Sequence, residues 1–245
     1  MLYFSVLSKK ITQVQLNLLK AYFKAYEDYL QENQTLYNEV LWDVQTHFKA
    51  NWDVEAPDFS EMFNKSVQSN ISRRLWKFKS GDAKKRMLDF AEIDTEFVRR
   101  LFKGLMNHEK DLSYRISHFQ FGCQVLMDEY RKLNNKSIET DHYHLNNHMP
   151  TLYLSLDQPT KYPVYYSDLF IQFMGNVGVK DLPHLNDYDR FYKVSQTLFK
   201  LISQEESLMK VCLEILPEKY HEVGFCQFIT TDFYRWVAKK KLVIG

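Results

Sequence analysis

Apolar residues recur at intervals of three and four along most of this chain, the spacing that places them on one face of an α-helix. A first run contains Val14, Leu18, Leu19, Tyr22, Phe23, Tyr26 and Leu30, and a second contains Tyr37, Leu41, Val44 and Phe48. Strands would instead alternate apolar and polar residues with a period of two. The pattern therefore predicts an all-α or nearly all-α fold, an irregular multi-helix bundle that begins with a long helical pair.

The low content of turn-forming residues supports the same fold class. The 245 residues include 7 Gly and 6 Pro, too few for the many tight turns of a β-sandwich or β-barrel. Hydrophobic residues make up 45% of the chain and aromatic residues 16%. This composition is sufficient for a sizeable core and argues against disorder along most of the length.

Capping residues divide the remainder of the chain into further helices. Asp58 together with Glu61 predicts a capping box that opens a helix, and Asp82 and Asp94 each precede a run of helical period and predict N-caps. Ser203 together with Glu206 predicts a capping box, in which each residue satisfies a free backbone amide of the other.

The segments between these caps are less uniform. The spacing predicts one helix over 66–80, ended by Gly81. Polar residues predict loops over 134–150 and 175–187, whereas the short apolar segment 151–157 fits a buried helical turn or a strand equally well.

A break in the helical pattern near Pro57 predicts a domain boundary at 51–57. The expected organisation is an N-terminal helical pair, residues 1–50, followed by a main helical domain, residues 51–245. Neither an internal repeat nor a low-complexity segment is present in the sequence.

Charge and cysteine content narrow the class of protein. The 32 Lys and Arg balance 31 Asp and Glu, so only a local basic patch could bind nucleic acid. Cys123, Cys212 and Cys226 lack metal-type spacing and predict reduced, mostly buried thiols in a cytoplasmic protein.

The N-terminal apolar run lacks the features of a signal peptide, and no apolar stretch is long enough to span a bilayer, so no membrane association is expected.

From residue 51 onwards, several segments occur in a recognisable order. They are NWDVEAPDFSEMF (51–63), RRLW (73–76), RMLDFA (86–91), the stretch 97–131, DHYH (141–144), the stretches 152–170 and 182–202, and TTDFYRWV (230–237). The series resembles the helical region that precedes the motor in bacterial McrB-type AAA+ restriction and defence ATPases. The resemblance implies a defence context, with DNA or a partner protein such as a nuclease subunit as ligand. It also implies homo-oligomerisation through an AAA+ motor.

The motor itself has no counterpart in this sequence. A Walker A loop needs a Gly-rich turn followed by Lys and Ser or Thr to hold nucleotide phosphates. No Gly in this chain is followed by Lys. We therefore expect the chain to be either part of a longer protein or a stand-alone relative, with no nucleotide or other cofactor of its own.

A histidine cluster is a candidate metal site. His142, His144 and His148 lie near one another in sequence, with Asp141 and Tyr143 beside them. Two His separated by one residue can chelate a metal from an extended loop. Because a closed site needs about four ligands, hydrogen bonding to backbone groups at helix ends is the favoured interpretation of these side chains, and no metal is predicted.

A basic segment is the candidate DNA-binding site. Its residues are Arg73, Arg74, Trp76, Lys77, Lys79, Lys84, Lys85 and Arg86. Lys and Arg could contact phosphates while the interleaved Trp stacks on a base. The competing interpretation is a solvated helix face with Trp76 in the core.

A tyrosine-rich segment is the candidate partner-binding site. Pro163 sets a stiff turn that would present Tyr162, Tyr165 and Tyr166 to a protein partner.

Catalytic motifs are missing from the sequence. It contains no GxSxG elbow, no recognisable Cys/His pair and no acidic residue followed by Glu-x-Lys. The sequence therefore predicts a non-catalytic recognition or regulatory module that binds DNA or a partner protein. The alternatives are a structural protein–protein adaptor without nucleic-acid binding, and an unrecognised helical nuclease or toxin.

Overall fold

The structure is a computed structural model, and it describes residues 13–36, 39–69, 71–78, 81–134 and 141–240. Twelve α-helices account for most of these residues, so the predicted all-α fold is confirmed. In chain order they are α1 (Gln13–Asn33), α2 (Val40–Asn51), α3 (Phe59–Ser66), α4 (Arg73–Trp76), α5 (Ala83–Ile93), α6 (Thr95–Leu105), α7 (Leu112–Asn134), α8 (His148–Asp157), α9 (Ser167–Asn176), α10 (Tyr188–Ile202), α11 (Glu206–Glu214) and α12 (Gln227–Lys239).

The remaining regular structure is small. Strands β1 (Lys77–Phe78) and β2 (Gly81–Asp82) form an antiparallel pair, and a 3₁₀ turn covers Glu218–Tyr220. None of the helices in the described ranges is both long enough and apolar enough to cross a membrane.

The predicted N-caps at Asp82 and Asp94 are confirmed by their hydrogen bonds, as is the Asp58 half of the predicted capping box, whereas the Glu61 carboxylate pairs with Lys65 (2.6 Å). The carboxylate of Asp58 accepts from the Glu61 amide (2.8 Å), that of Asp82 from the Lys85 amide (3.0 Å) and that of Asp94 from the Phe97 amide (2.8 Å). Each bond satisfies one of the amides that the first turn of a helix leaves without an internal partner.

The predicted capping box at Ser203 and Glu206 is wrong. The Ser203 hydroxyl donates to the Phe199 carbonyl (2.7 Å), which is an acceptor in the last turn of the preceding helix. α11 begins after Glu205, whose side chain makes no capping bond. A serine between two helices can donate to a carbonyl of the preceding helix or accept from an amide of the following one. Here the Ser203 hydroxyl donates to the preceding helix.

The predicted continuous helix over 66–80 is also wrong. Among the described residues of this range, Ser66 ends α3, only Arg73–Trp76 forms a further helix, and the chain then enters the β1–β2 pair. The Ser72 hydroxyl both accepts from the Ser69 amide (3.0 Å) and donates to the Ser69 carbonyl (3.1 Å). Side-chain bonds of this kind replace the backbone bonds of a helix, so α3 and α4 do not merge.

The short apolar segment and the two predicted loops have defined positions in the structure. The apolar segment 151–157 belongs to α8, whose residues Met149–Leu156 are buried, so it is a helix and not a strand. Because α8 begins at His148, the predicted loop over 134–150 is shorter than expected, and its residues 135–140 lie outside the described part. The predicted loop over 175–187 begins after α9 ends at Asn176.

The core is organised around α12, which is buried on nearly every side. This helix packs against α9, α10 and α1, while α5 and α6 pack against α7. A second group of contacts joins α2 to α3 and α8. Buried apolar residues extend from Leu19 in α1 to Ala238 in α12.

The division of the chain at 51–57 into two domains stays a prediction. Helix α1 packs against α11 and α12, and α2 packs against α3 and α8, so both helices of the N-terminal pair contact later elements. The buried Arg99 of α6 also donates to the carbonyls of Val54 and Ala56. Residues 1–12 of the predicted pair lie outside the described residues.

The end of α1 allows a test of local backbone strain. Gln34 has a left-handed backbone (φ 51°), and its amide donates to the Leu30 carbonyl (2.9 Å). Glycine adopts this conformation without a Cβ penalty, so Gln34→Gly is expected to raise the free energy of unfolding by about 0.5–1 kcal/mol, as measured by urea denaturation. Gln31→Gly, inside the same helix, should lower it by about 1 kcal/mol. A loss of stability in both variants would contradict this expectation.

Candidate nucleic-acid interface

Five cationic side chains lie on α4, β1 and the first turn of α5, and we call them the basic surface: Arg73, Arg74, Lys77, Lys84 and Lys85. Buried neighbours fix their direction. Leu75 and Trp76 are buried, and the Trp76 indole donates to the Val67 carbonyl (3.1 Å). Because these two residues hold one side of α4 against the core, Arg73 and Arg74 face solvent.

The basic surface is not neutralised by its surroundings. Within the described part of the chain, none of its five members forms an ion pair with a carboxylate. Elsewhere many exposed lysines are paired, among them Lys24, Lys65 and Lys103. Residues 65–86 contain eight Lys and Arg but one acidic residue, although the whole chain is balanced. The positive charge is therefore local and open to an external anion.

Lys84 is the least exposed member of this surface. Its ammonium group lies 3.4 Å from the Gln68 side-chain oxygen. Burial lowers the pKa of Lys84, while the nearby Asp82 acts in the opposite direction. The other four members are exposed and therefore present the most accessible charges.

Two residues predicted to bind DNA are turned inward, which corrects their assignment. Arg86 pairs with Asp89 (3.2 Å), and its guanidinium lies 4.1 Å from the centre of the Tyr130 ring. Trp76 is 2% exposed and packs near Tyr153, so it cannot stack on a base. Lys79 lies outside the described residues.

The predicted tyrosine contact surface is also corrected. Tyr162 and Tyr165 are each 1% exposed. The Tyr165 hydroxyl donates to the Leu185 carbonyl (3.0 Å), and half-buried Tyr166 carries the Arg235 guanidinium over its ring at 4.2 Å. The segment after Pro163 therefore directs its aromatic rings into the core. An aromatic-rich sequence predicts large apolar contacts, but it does not show whether these contacts lie in the core or at an interface with a partner.

The histidine cluster has internal partners. His142 and His144 are buried, and the His144 amide donates to Nδ1 of His142 (3.1 Å). The other bonds of His144 are Nδ1–H to the His142 carbonyl and Nε2 to the Tyr153 hydroxyl (3.2 Å). Tyr143 is buried and stacks on Phe78, while Asp141 accepts from the Tyr143 amide (2.9 Å). The hydrogen bonds therefore join residues of the loop to one another and to the Tyr153 side chain, and not to backbone groups at helix ends as the favoured interpretation expected.

His148 differs from the other two histidines because it is the first residue of α8. The prediction that it lies in a loop is therefore wrong. Its ring packs on Tyr166, with the centroids 4.5 Å apart. Among the residues that the structure describes, no three His, Cys, Asp or Glu side chains come together as a metal site.

Cys123, Cys212 and Cys226 are free and buried, as predicted, and burial raises the pKa of the Cys226 thiol to about 12.

A polar network that sequence reasoning missed joins α7, α8 and the segment after it. Nε2 of His108 lies 2.8 Å from the Asp157 carboxylate, and Nδ1 lies 3.1 Å from the Tyr162 hydroxyl. The buried Arg115 donates to this hydroxyl (2.9 Å) and to the Leu105 carbonyl (2.7 Å). The residues of this network are distant from one another in sequence and form no local motif.

Asp157 also lines a cleft of about 380 Å³ with Gln45, Lys49, Trp52 and Glu222. Lys49 forms an ion pair with Glu222 in the same lining. Both ring nitrogens of His108 are occupied by partners within the protein, so the imidazole has no free nitrogen to offer to a molecule in the cleft. The network therefore joins the turn before α7 to the end of α8.

Comparison of the chain with models of known protein families, with curated proteins and with solved structures finds no match in any of the three. The resemblance of the segments after residue 51 to McrB-type proteins stays a prediction.

Proposed function

We propose that this chain is a non-catalytic recognition module that binds the phosphate backbone of nucleic acid through the basic surface. The observation that carries the proposal is the concentration of five Lys and Arg side chains without carboxylate partners on α4, β1 and α5. Unpaired cations on one surface release the counterions of a nucleic acid when they contact its phosphates, and this release favours binding at low salt.

The form of recognition follows from which residues are exposed. Phosphate contacts fix position and orientation on a duplex but carry no sequence information directly. Because Trp76 is buried, the basic surface has no aromatic side chain from the predicted set available to stack on an unpaired base. We therefore expect binding that depends on salt more strongly than on sequence, and that does not require single-stranded DNA.

Fluorescence anisotropy of labelled duplex and single-stranded DNA at several salt concentrations tests the proposal. With about four phosphate contacts, the plot of log K against log salt should have a slope of roughly −3 to −4. Arg73→Glu/Arg74→Glu should weaken binding about 30-fold, because two attractive contacts become repulsive.

A matched control separates a local surface from net charge. Lys193 and Lys200 lie exposed on α10 and form no ion pair within the described ranges. The double variant Lys193→Glu/Lys200→Glu changes the net charge by the same amount and should retain wild-type affinity. Equal losses in the two double variants would contradict a local interface, and no binding at low salt would reject nucleic acid as the ligand.

The biological setting belongs to the proposal as well. The resemblance to McrB-type proteins suggests that the module couples recognition to an AAA+ hexamer that drives a nuclease subunit. The second candidate is a protein adaptor, and the exposed apolar residues of α7 favour it. The third alternative, a helical nuclease or toxin, has the His108–Asp157 pair as its nearest feature, and both nitrogens of that histidine are already bonded.

A further inference from the structure

The cleft between α2 and the end of α8 contains a buried hydrogen-bond acceptor that the described residues do not satisfy. Gln45 of α2 lines this cleft and is 5% exposed. Its side-chain nitrogen donates to the Leu156 carbonyl (3.3 Å), whereas no described residue donates to its side-chain oxygen. Burying an amide oxygen without a donor is unfavourable. Because Gln45 belongs to the wall of the cleft, a molecule bound there can supply the missing donor.

A second acceptor, the Asp157 carboxylate, lies beside the first. Asp157 follows Leu156 directly in the chain, lines the same cleft and has a side chain that is 25% exposed. Nε2 of His108 lies 2.8 Å from one carboxylate oxygen, and no described residue bonds to the other oxygen. One end of the cleft therefore presents two acceptors, an amide oxygen and a carboxylate oxygen.

The histidine that orients this carboxylate is neutral. Nδ1 of His108 lies 3.2 Å from a guanidinium nitrogen of Arg115 and 3.1 Å from the Tyr162 hydroxyl. Because a guanidinium can only donate, Nδ1 accepts, and the imidazole carries its single proton on Nε2. The Asp157 carboxylate is therefore held by an uncharged donor, and no Lys or Arg among the described residues pairs with it.

Aromatic rings form another part of the wall. Phe48 and Trp52 both line the cleft, and their rings stack with the centroids 4.7 Å apart. Phe48 is buried and Trp52 is half-buried, so part of Trp52 remains accessible. The exposed Lys49 and Glu222 pair with each other and offset each other's charge. Among the residues that line the cleft, Asp157 therefore supplies the charge that is left without an ion-pair partner.

We propose that this cleft binds a guanidinium group, the head group of arginine. The guanidinium would donate to the free oxygens of Gln45 and Asp157 and lie against Trp52. Its flat, cationic fork of N–H donors suits paired acceptors and an aromatic wall, whereas an ammonium is a compact, strongly hydrated point charge. The volume of about 380 Å³ is near the lower end of the range for small-molecule sites, which fits a single amino-acid side chain.

The guanidinium site is separate from the proposed nucleic-acid interface. The basic surface lies on α4, β1 and α5, whereas the cleft is formed by α2, the end of α8, residues 159–160 and residues 222–223. The two sites also select opposite charges, because the basic surface attracts anions and Asp157 attracts cations. Loss of guanidinium binding and loss of DNA binding are therefore distinguishable results.

NMR titration of the 245-residue chain with Nα-acetyl-L-arginine amide tests the proposal. The indole N–H signal of Trp52, one of four tryptophans, is assigned as the signal that Trp52→Phe removes. We expect this signal to shift with a dissociation constant on the order of 1 mM, the range for a ligand of about 15 non-hydrogen atoms. Nα-acetyl-L-citrulline amide has nearly the same shape without the charge, and it should bind at least about 10-fold more weakly.

Free L-arginine distinguishes two sources of the guanidinium group. Its α-ammonium and carboxylate are charged, whereas an arginine within a partner protein has neutral amides at these positions. Tighter binding of free L-arginine would assign the cleft to a small molecule, and tighter binding of the blocked amide would assign it to an arginine side chain of a partner. Either result supports a guanidinium site.

Substitutions in the wall test each acceptor. Asp157→Asn removes the charge but keeps an oxygen for Nε2–H of His108, and it should weaken binding about 10-fold. Gln45→Met replaces the amide with an apolar chain of similar length and should weaken binding roughly fivefold. Asp168→Asn is the matched control, since it makes the same chemical change at an exposed position on α9, outside the cleft, and should retain wild-type affinity.

Three results would overturn the proposal. The first is a Trp52 signal that does not shift at about 10 mM arginine amide, well above the expected dissociation constant. The second is equal binding of the arginine and citrulline amides, and the third is unchanged binding in Asp157→Asn. Circular dichroism reports whether each variant folds. If Asp157→Asn does not fold, Gln45→Met and the citrulline comparison in the wild-type protein decide the outcome.

Discussion

Lowering the pH from 7 to about 5 is expected to remove about 4 kcal/mol from the free energy of unfolding through His142 and His144, roughly 2 kcal/mol for each imidazole. Burial lowers the pKa of His142 to about 4 and that of His144 to about 3. Both values lie well below the ordinary histidine pKa, near 6.5. The folded protein therefore keeps these rings neutral in mildly acidic solution.

The hydrogen bonds require the same protonation state. Nδ1 of His142 accepts from the His144 amide, so this nitrogen carries no proton. In His144, Nδ1–H donates to the His142 carbonyl, and Nε2 accepts from the Tyr153 hydroxyl. Burial raises the pKa of Tyr153, so its hydroxyl remains a donor. Protonation of either imidazole would remove an accepted hydrogen bond and leave a buried charge.

The direction of the pH effect follows from proton binding in the two states. Below about pH 6.5 the unfolded chain binds a proton at each histidine, whereas the folded protein does not until about pH 4 for His142 and about pH 3 for His144. The unfolded state is therefore stabilised relative to the folded state as the pH falls through this window. Stability is fully retained above about pH 7 and decreases on acidification.

Urea denaturation between pH 5 and 7 measures this loss. His144→Gln should reduce the difference in unfolding free energy between the two pH values by about 2 kcal/mol, since it removes one of the three imidazoles, those of His142, His144 and His148, whose pKa burial lowers. His118→Gln makes the same substitution at an exposed position of α7 and is the matched control. An unchanged pH dependence in His144→Gln would show that this imidazole is not the source.

Phe102→Ala is expected to destabilise the fold by about 4 kcal/mol. Phe102 is completely buried on α6, and its ring lies 5.0 Å from that of Tyr153, 5.1 Å from that of Trp52 and 5.3 Å from that of Phe119. Phe59 and Phe63 complete the cluster. The substitution removes the ring that joins α2, α3, α7 and α8, and it leaves a cavity that surrounding rings can fill only in part.

Equilibrium denaturation of dilute protein measures this effect. Phe121→Ala is the matched control, because it makes the same chemical change at a side chain that is 69% exposed. Its expected effect is within about 0.5 kcal/mol. Comparable losses in the two variants would contradict the assignment of Phe102 to the centre of the core.

Several features of this protein were determined by the sequence alone. The three- and four-residue spacing of apolar side chains predicted the all-α fold, and Asp58, Asp82 and Asp94 predicted where α3, α5 and α6 begin. These signals are local, since a helix period and an N-cap involve residues within about four positions of one another. The cations of the basic surface could also be identified from the sequence, because they lie close together along the chain.

Other features were decided only by the tertiary structure. Sequence could not show that Tyr162 and Tyr165 face inward while Tyr114 and Phe121 face outward, because aromatic residues suit both a core and an interface. A signal did exist, since Tyr114, Phe121 and Val125 fall outside the apolar stripe of α7 that forms the core. No pattern in the sequence predicted the pairing of His108 with Asp157.

The physical reason is the range of the interactions. Helix spacing and capping depend on neighbours along the chain, whereas the burial of a side chain depends on which other helices pack against it. Trp76 illustrates the difference. The sequence placed it among cations, and only the packing of α4 against the core removed it from the surface that those cations form.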